Sequence, residues 1–311
     1  MAAITVYAQS NGDWDKADNW NTVAGGGGTA YTNPQDGENA FTCELNGKTI
    51  NLQVGGNPTT IIGVTLIRSD VALGVVTLPT GGNCTINGDV NHGNASVLCG
   101  IGTGKTLTIN GTLTNSGTGR SFQYTAGTLN INKVGTALVS TGSNLTIMAS
   151  STAACTITGD ISMQGSYAYG AIRTFAGTTT TITGNMTATT AVPVIRGEGG
   201  TINFTGLPLQ ALGSTATPAV NLTGGGTFTW SGTHTVSEDQ YVFFDNRSGT
   251  LNVSSLILNN RGTVVIHVLD ATTFTIGSCK IIQQSPTAEA VIWSKAHSGV
   301  IINSGGYIIG S

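Results

Sequence analysis

Carboxylates have the strongest claim to chemistry in this sequence, because two of them flanking a sugar bond can act as acid and base or as acid and nucleophile. The chain carries only 15 Asp and Glu among 311 residues, so each can be weighed by its position. Glu238, Asp239 and Asp245 fall in one short stretch, close to Arg247 and Arg261, and form the one acidic cluster of the repetitive part of the chain. Asp89 and Asp160 occupy equivalent places in two repeats. They lie three repeats apart, which at strand spacing is about 14 Å, too far for either glycosidase geometry. The stretch containing Glu238, Asp239 and Asp245 is expected to be a solvated turn, with catalysis the lesser reading.

The remaining chemical residues point the same way. Residues 100–106, Gly-Ile-Gly-Thr-Gly-Lys-Thr, look like a phosphate-binding loop, but Cys99 stands where the first glycine is required. Leu107-Thr-Ile109 follows with strand character, whereas cradling a phosphate needs a helix N-terminus. A turn is therefore expected there. Five cysteines (Cys43, Cys84, Cys99, Cys155, Cys279) show no CxxC pair and no metal-ligand spacing. Cys84 and Cys155 sit at core positions three repeats apart, too far for a disulfide, and are expected to pack as small hydrophobes. The histidines His92, His234, His267 and His297 share no register, and surface or turn positions are expected for them. No catalytic, cofactor-binding or metal-binding residue is assigned, and no cofactor is expected.

What would position such side chains is a repeat. Charged residues make up 9% of the chain and hydrophobic ones 39%, a balance that excludes a disordered polyelectrolyte. Thr, Gly, Asn, Ile and Val dominate, which favours strands and turns over helices. A short motif recurs: Cys84-Thr-Ile-Asn-Gly-Asp-Val90, Leu107-Thr-Ile-Asn-Gly-Thr-Leu113 and Cys155-Thr-Ile-Thr-Gly-Asp-Ile161. Its central apolar residue gives the series Ile62, Ile86, Ile109, Ile131, Ile157, Ile182, Phe204, Trp230, Val253, Ile276 and Ile302, with a mean spacing of 24 residues.

Two residues earlier the chain reads Thr60, Cys84, Leu107, Leu129, Cys155, Thr180, Ile202, Phe228, Leu251, Phe274 and Val300, mostly apolar as the same face of a strand should be. Four residues later, Leu66, Val90, Leu113, Ile161, Met186 and Ile257 add a second apolar row. Gly88, Gly111, Gly159, Gly184, Gly206 and Gly232 fall between, where the chain can bend. A repeat of this length is one coil of a solenoid, in which each coil buries its apolar row only against its neighbours. The expected fold is all-β, a right-handed parallel β-helix of about eleven coils. A β-sandwich would show turns every 8–12 residues and no repeat of coil length.

Residues 1–57 do not follow the coil pattern and are expected to form an N-terminal β cap or attachment segment, with residues 58–311 forming the helix and its C-terminal capping coil. The segment holds Asp13-Trp14, Asn19-Trp20, the glycine run 25–28, Pro34 and Asp36, then Asn46-Gly-Lys-Thr-Ile-Asn-Leu52. This arrangement resembles the opening of β-helical proteins found among bacteriophage virion structural proteins and bacterial adhesin passengers. The resemblance implies a structural role on a virus particle, as a capsid decoration or cement protein or a short surface appendage. It also implies a homo-oligomer, with a trimer the form it suggests, and other virion proteins of capsid or tail as partners.

Composition narrows the classes further. The net charge of −3 includes no basic stripe, so no nucleic-acid partner is expected. No stretch approaches the ~20 apolar residues of a membrane span, and no membrane partner is expected. Residues 1–9 lack a basic n-region, so synthesis in a host cytoplasm followed by incorporation into a virion is the expected route. A non-enzymatic virion protein is the leading expectation. Two alternatives stay open: a tailspike-like polysaccharide depolymerase and a bacterial surface adhesin.

The register itself is testable. Ile157→Asp would bury an unpaired charge and should cost about 3 kcal/mol or more, while Thr156→Asp, on the outward face, should stay within about 0.5 kcal/mol of the parent. Urea denaturation measures both, and equal losses would rule the register out.

Overall fold

The computed structural model describes residues 3–14, 16–31, 40–51, 59–61, 64–68, 75–77, 83–93, 98–144, 146–167, 169–189, 193–210, 220–222, 224–236, 241–245, 249–260, 264–269, 273–283, 290–295, 300–302 and 307–309. Every regular element among them is a strand, and nearly all pairings are parallel, the arrangement of a β-solenoid. The chain divides into two compact units, Met1–Gly159 and Asp160–Ser311. Within a unit the stack amounts to about five turns, in place of the about eleven expected as one continuous count.

In the first unit three columns of strands climb in parallel. One runs through Thr59–Ile61, Cys84–Ile86, Thr106–Ile109 and Thr128–Ser140, with Ile61, Ile86, Ile109 and Ile131 in register. The second runs through Ala3–Ala8, Ala40–Glu44, Val64–Arg68, Asp89–His92 and Leu113–Asn115, aligning Val6, Cys43, Ile67, Val90 and Leu113. The third joins Thr49–Asn51, Val75–Thr77, Cys99–Gly100, Phe122–Tyr124 and Ile147–Ala149.

Three expected positions are corrected by one residue. Ile61, not Ile62, lies opposite Ile86, and Thr59, not Thr60, lies opposite Cys84. Ile67, not Leu66, lies opposite Val90. Adjacent apolar residues, Ile61-Ile62 and Leu66-Ile67, satisfy the pattern in either register, so local patterning could not choose between them. Pairing with the next coil does.

The second unit repeats the scheme. Thr179–Thr183, Thr201–Thr205, Thr227–Val236, Thr250–Asn260, Thr273–Gln283 and Val300–Ile302 align Ile182, Phe204, Trp230, Val253, Ile276 and Ile302 as expected. A second column stacks Ile172–Phe175, Ile195–Glu198, Val220–Leu222, Tyr241–Asp245, Val264–Leu269 and Ala290–Lys295.

Strand alternation decides the core. Cys84, Ile86, Leu107, Ile109, Leu129, Ile131, Cys155 and Ile157 are all buried, while the intervening Thr85, Thr108, Asn130 and Thr156 are partly exposed. Each buried aliphatic side chain contributes roughly 1.5–3 kcal/mol. In the second unit Phe204 packs against Phe228 at 5.8 Å and Trp230 at 6.5 Å between ring centroids. The Trp230 indole N–H donates to Gly206 O at 2.7 Å, which satisfies the polar edge of a buried ring. Outside the core, amides form a ladder up the stack: Asn132 Nδ2 donates to Asn110 Oδ1 at 3.2 Å, and Asn110 Nδ2 to Asn87 Oδ1 at 2.7 Å.

At the N-terminus the pairing changes sense. Trp20–Asn21 runs antiparallel to both Ala3–Ala8 and Ala30–Tyr31. Trp14 and Trp20 are fully buried, their rings 4.7 Å apart, and the Trp20 indole N–H donates to Trp14 O at 2.8 Å. The parallel ladder already begins inside this segment, since Ala3–Ala8 pairs with Ala40–Glu44 and Ala40–Glu44 with Val64–Arg68.

The repeated glycine has a steric cause. A Cβ on Gly111 would overlap the carbonyl oxygen of Gly88 one coil away, and a Cβ on Gly206 would overlap that of Gly184. Gly206 also holds φ at +152°. Gly206→Ala should therefore cost about 3 kcal/mol, against about 1 kcal/mol for Gly135→Ala, where φ is +85° but the Cβ meets open space. Thermal unfolding of the two variants checks this, and similar melting temperatures would remove the steric explanation of the repeat.

Candidate functional site

Asp89 and Asp160 have structural work. Asp89 Oδ1 accepts the Thr112 backbone N–H at 2.7 Å, and Asp160 Oδ1 accepts that of Asn185 at 2.8 Å. Asn185 takes the same part for the next coil, accepting Leu207 N–H at 3.0 Å. An acceptor at this corner satisfies a backbone donor of the following coil that the bend would otherwise orphan. Asp245 lies on strand Tyr241–Asp245, opposite Asn221 on one side and Leu269 on the other. Glu238, Asp239, Arg247 and Arg261 lie outside the described residues.

Residues 100–106 form a turn in which Lys105 N–H donates to Gly102 O at 3.2 Å, leading into strand Thr106–Ile109. His92, expected on the surface or in a turn, is instead fully buried on strand Asp89–His92, its Nδ1 3.3 Å from Ser121 Oγ. The reason is alternation: Val90 points inward, and so must His92 two residues later. It heads a buried polar file of His92, Asn115 and Ser140 in successive coils. There Asn115 closes a turn, donating to Gly119 O at 3.1 Å and accepting Gly117 N–H at 3.2 Å. His234 and His267 fall on strands, and His297 lies outside the described residues.

A cluster that composition did not reveal stands on the second unit. Strands Ile172–Phe175 and Ile195–Glu198 pair with Arg173 opposite Arg196 and Phe175 opposite Glu198. Ile172 and Ile195 are fully buried, so Arg173, Phe175, Arg196 and Glu198 point outward. Two cations directly opposed on neighbouring strands repel. Glu198 offsets this: Arg173 donates to it through Nε at 3.2 Å and Nη2 at 2.7 Å, while Arg196 Nε lies 2.7 Å from its Oε1. The bidentate fork on Arg173 is the strong form of this contact.

Aromatic rings hold the guanidiniums flat. Arg173 lies 4.7 Å from the Tyr169 centroid and 4.6 Å from that of Phe175, and Arg196 lies 4.3 Å from Tyr169. Such contacts contribute about 0.5–2 kcal/mol each. Tyr167 tilts against Tyr169 at 5.3 Å, and the turn that presents both closes through Gly170 N–H to Tyr167 O at 2.9 Å. The sequence signal was available: Arg173 and Arg196 lie 23 residues apart, one coil, and Glu198 follows Arg196 by two. Among the described residues no group of three or more His, Cys, Asp or Glu is placed to hold a metal ion. Comparison of the chain with known protein families, curated proteins and solved structures finds no match.

The thiols Cys43, Cys84, Cys99 and Cys155 are all buried and unpaired. Burial pushes Cys84, Cys99 and Cys155 from an ordinary 9.0 to about 12, with repulsion from an ionised Cys84 adding to Cys99, and it raises Cys43 well above its usual range. A buried neutral thiol is neither nucleophile nor ligand. In the unfolded chain these thiols ionise first, so their contribution to stability is complete below about pH 9 and is lost as pH rises toward about 12. The melting temperature should fall across that window. At pH 8 the four thiols should resist an aromatic disulfide reagent until urea unfolds the protein, with labelled peptides identified by mass. Rapid labelling of native protein would contradict their burial.

Proposed function

We propose that the protein is a non-enzymatic structural component of a bacteriophage particle, a capsid decoration or short surface appendage. It would act by presenting a rigid lateral surface to copies of itself and to other virion proteins. The observation that carries this reading is the use made of the polar groups. Asp89, Asp160 and Asn185 are committed to backbone N–H groups of the next coil, and Asn87, Asn110 and Asn132 to one another. Polar chemistry here builds a stiff scaffold. The N-terminal pattern around Trp14 and Trp20, which resembles β-helical virion proteins, supports the same reading, as does a charged content of only 9%.

Particles purified by density gradient should carry the protein in many copies, and the isolated protein should release no reducing ends from capsular polysaccharide or lipopolysaccharide. Release of reducing ends, abolished when Glu238, Asp239 and Asp245 are replaced together by their amides, would replace this reading with the depolymerase.

A further inference from the structure

We infer that the cluster of Arg173, Arg196 and Glu198 with Tyr167, Tyr169 and Phe175 is a binding site for an acidic saccharide, a glycan bearing carboxylates of the uronate type. The inference stands apart from the virion reading, and neither needs the other.

Charge comes first. Two guanidiniums share one carboxylate, leaving a surplus of one positive charge in a chain whose net charge is −3. Arg173 spends its fork on Glu198. Arg196 does not: its Nε is close to Glu198 without hydrogen-bond geometry, and its terminal N–H groups donate to no described residue. Its side chain is 24% exposed, so a planar set of donors faces outward with its charge half-desolvated. That is the geometry that receives a carboxylate on two parallel N–H bonds.

Shape comes second. The partly exposed ring of Tyr167, tilted against the Tyr169 ring on which the guanidiniums stack, offers an apolar face to the C–H side of a sugar ring. The guanidiniums are fixed before any ligand arrives, by strand pairing below and by ring stacking and Glu198 around them. Little conformational entropy is lost on binding to such a site. A single-stranded nucleic acid also stacks on aromatics, but it brings a charge at every nucleotide and needs a track of cations that a surplus of one does not supply. A uronate brings one charge per ring, which matches a surplus of one.

Calorimetric titration of the full chain with oligogalacturonate tests this, with a neutral oligosaccharide of equal length and a deoxythymidine oligonucleotide as controls. Oligogalacturonate should bind, the neutral glycan should bind at least about tenfold more weakly, and Arg196→Gln should weaken oligogalacturonate by about tenfold or more. The variant gives up the Tyr169 stacking and the Glu198 ion pair, so its melting temperature should fall slightly while its circular dichroism keeps the parent β-sheet spectrum. Should Arg196→Gln fail to fold, Tyr167→Ala, at the rim, carries the same expectation. Absence of oligogalacturonate binding, equal affinity for the neutral glycan, tighter binding of the oligonucleotide, or a folded variant with parental affinity would each overturn the assignment.

Discussion

Everything in this chain depends on one constraint: a strand at the edge of a coil has backbone donors and acceptors that only the next coil can satisfy. The apolar rows supply the driving force, but they tolerate more than one alignment. The ladder between coils does not. It brings Ile86 over Ile61 and Ile109 over Ile86, and so turns a loose 24-residue rhythm into a register in which buried side chains stack on like neighbours.

The same constraint explains the residues that look most chemical. Where the chain bends between strands, a backbone N–H of the following coil loses its strand partner, and a short acceptor side chain reaches up to meet it. Asp89, Asp160 and Asn185 do this interchangeably, which is why carboxylate and amide alternate at that position. At the same corner the coils approach so closely that Gly111 and Gly206 have no room for a side chain. Recurrence of Asp or Asn after Gly is thus a property of the bend.

Among the described residues, charge gathers on paired strands at Arg173, Arg196 and Glu198. On a lateral strand face, side chains in register are about 4.8 Å apart, so a charged residue repeated one coil later must meet its own kind. Arg173 and Arg196 are held in that situation by Glu198 and by the faces of Tyr169 and Phe175. A solenoid can therefore assemble a preorganised polar-aromatic surface from single residues of two coils and the turn that leads into one of them.

The sequence by itself determined the class of the fold and most of its core. The apolar rows at the anchor and two residues before it were readable because strand periodicity and coil length are local properties, and the structure keeps Ile86, Ile109, Ile182, Phe204, Trp230, Val253 and Ile276 in register. The burial of Trp14 and Trp20 was legible too, since two large rings must be buried somewhere. Tertiary structure decided what local pattern leaves degenerate. It chose Ile61 over Ile62, and it buried His92 because the polar file through Asn115 and Ser140 accommodates it. It also brought Arg173, Arg196, Glu198 and Tyr169 together, because only pairing between coils places residues a full coil apart side by side. A period can be read along the chain, but contact between coils is made across it.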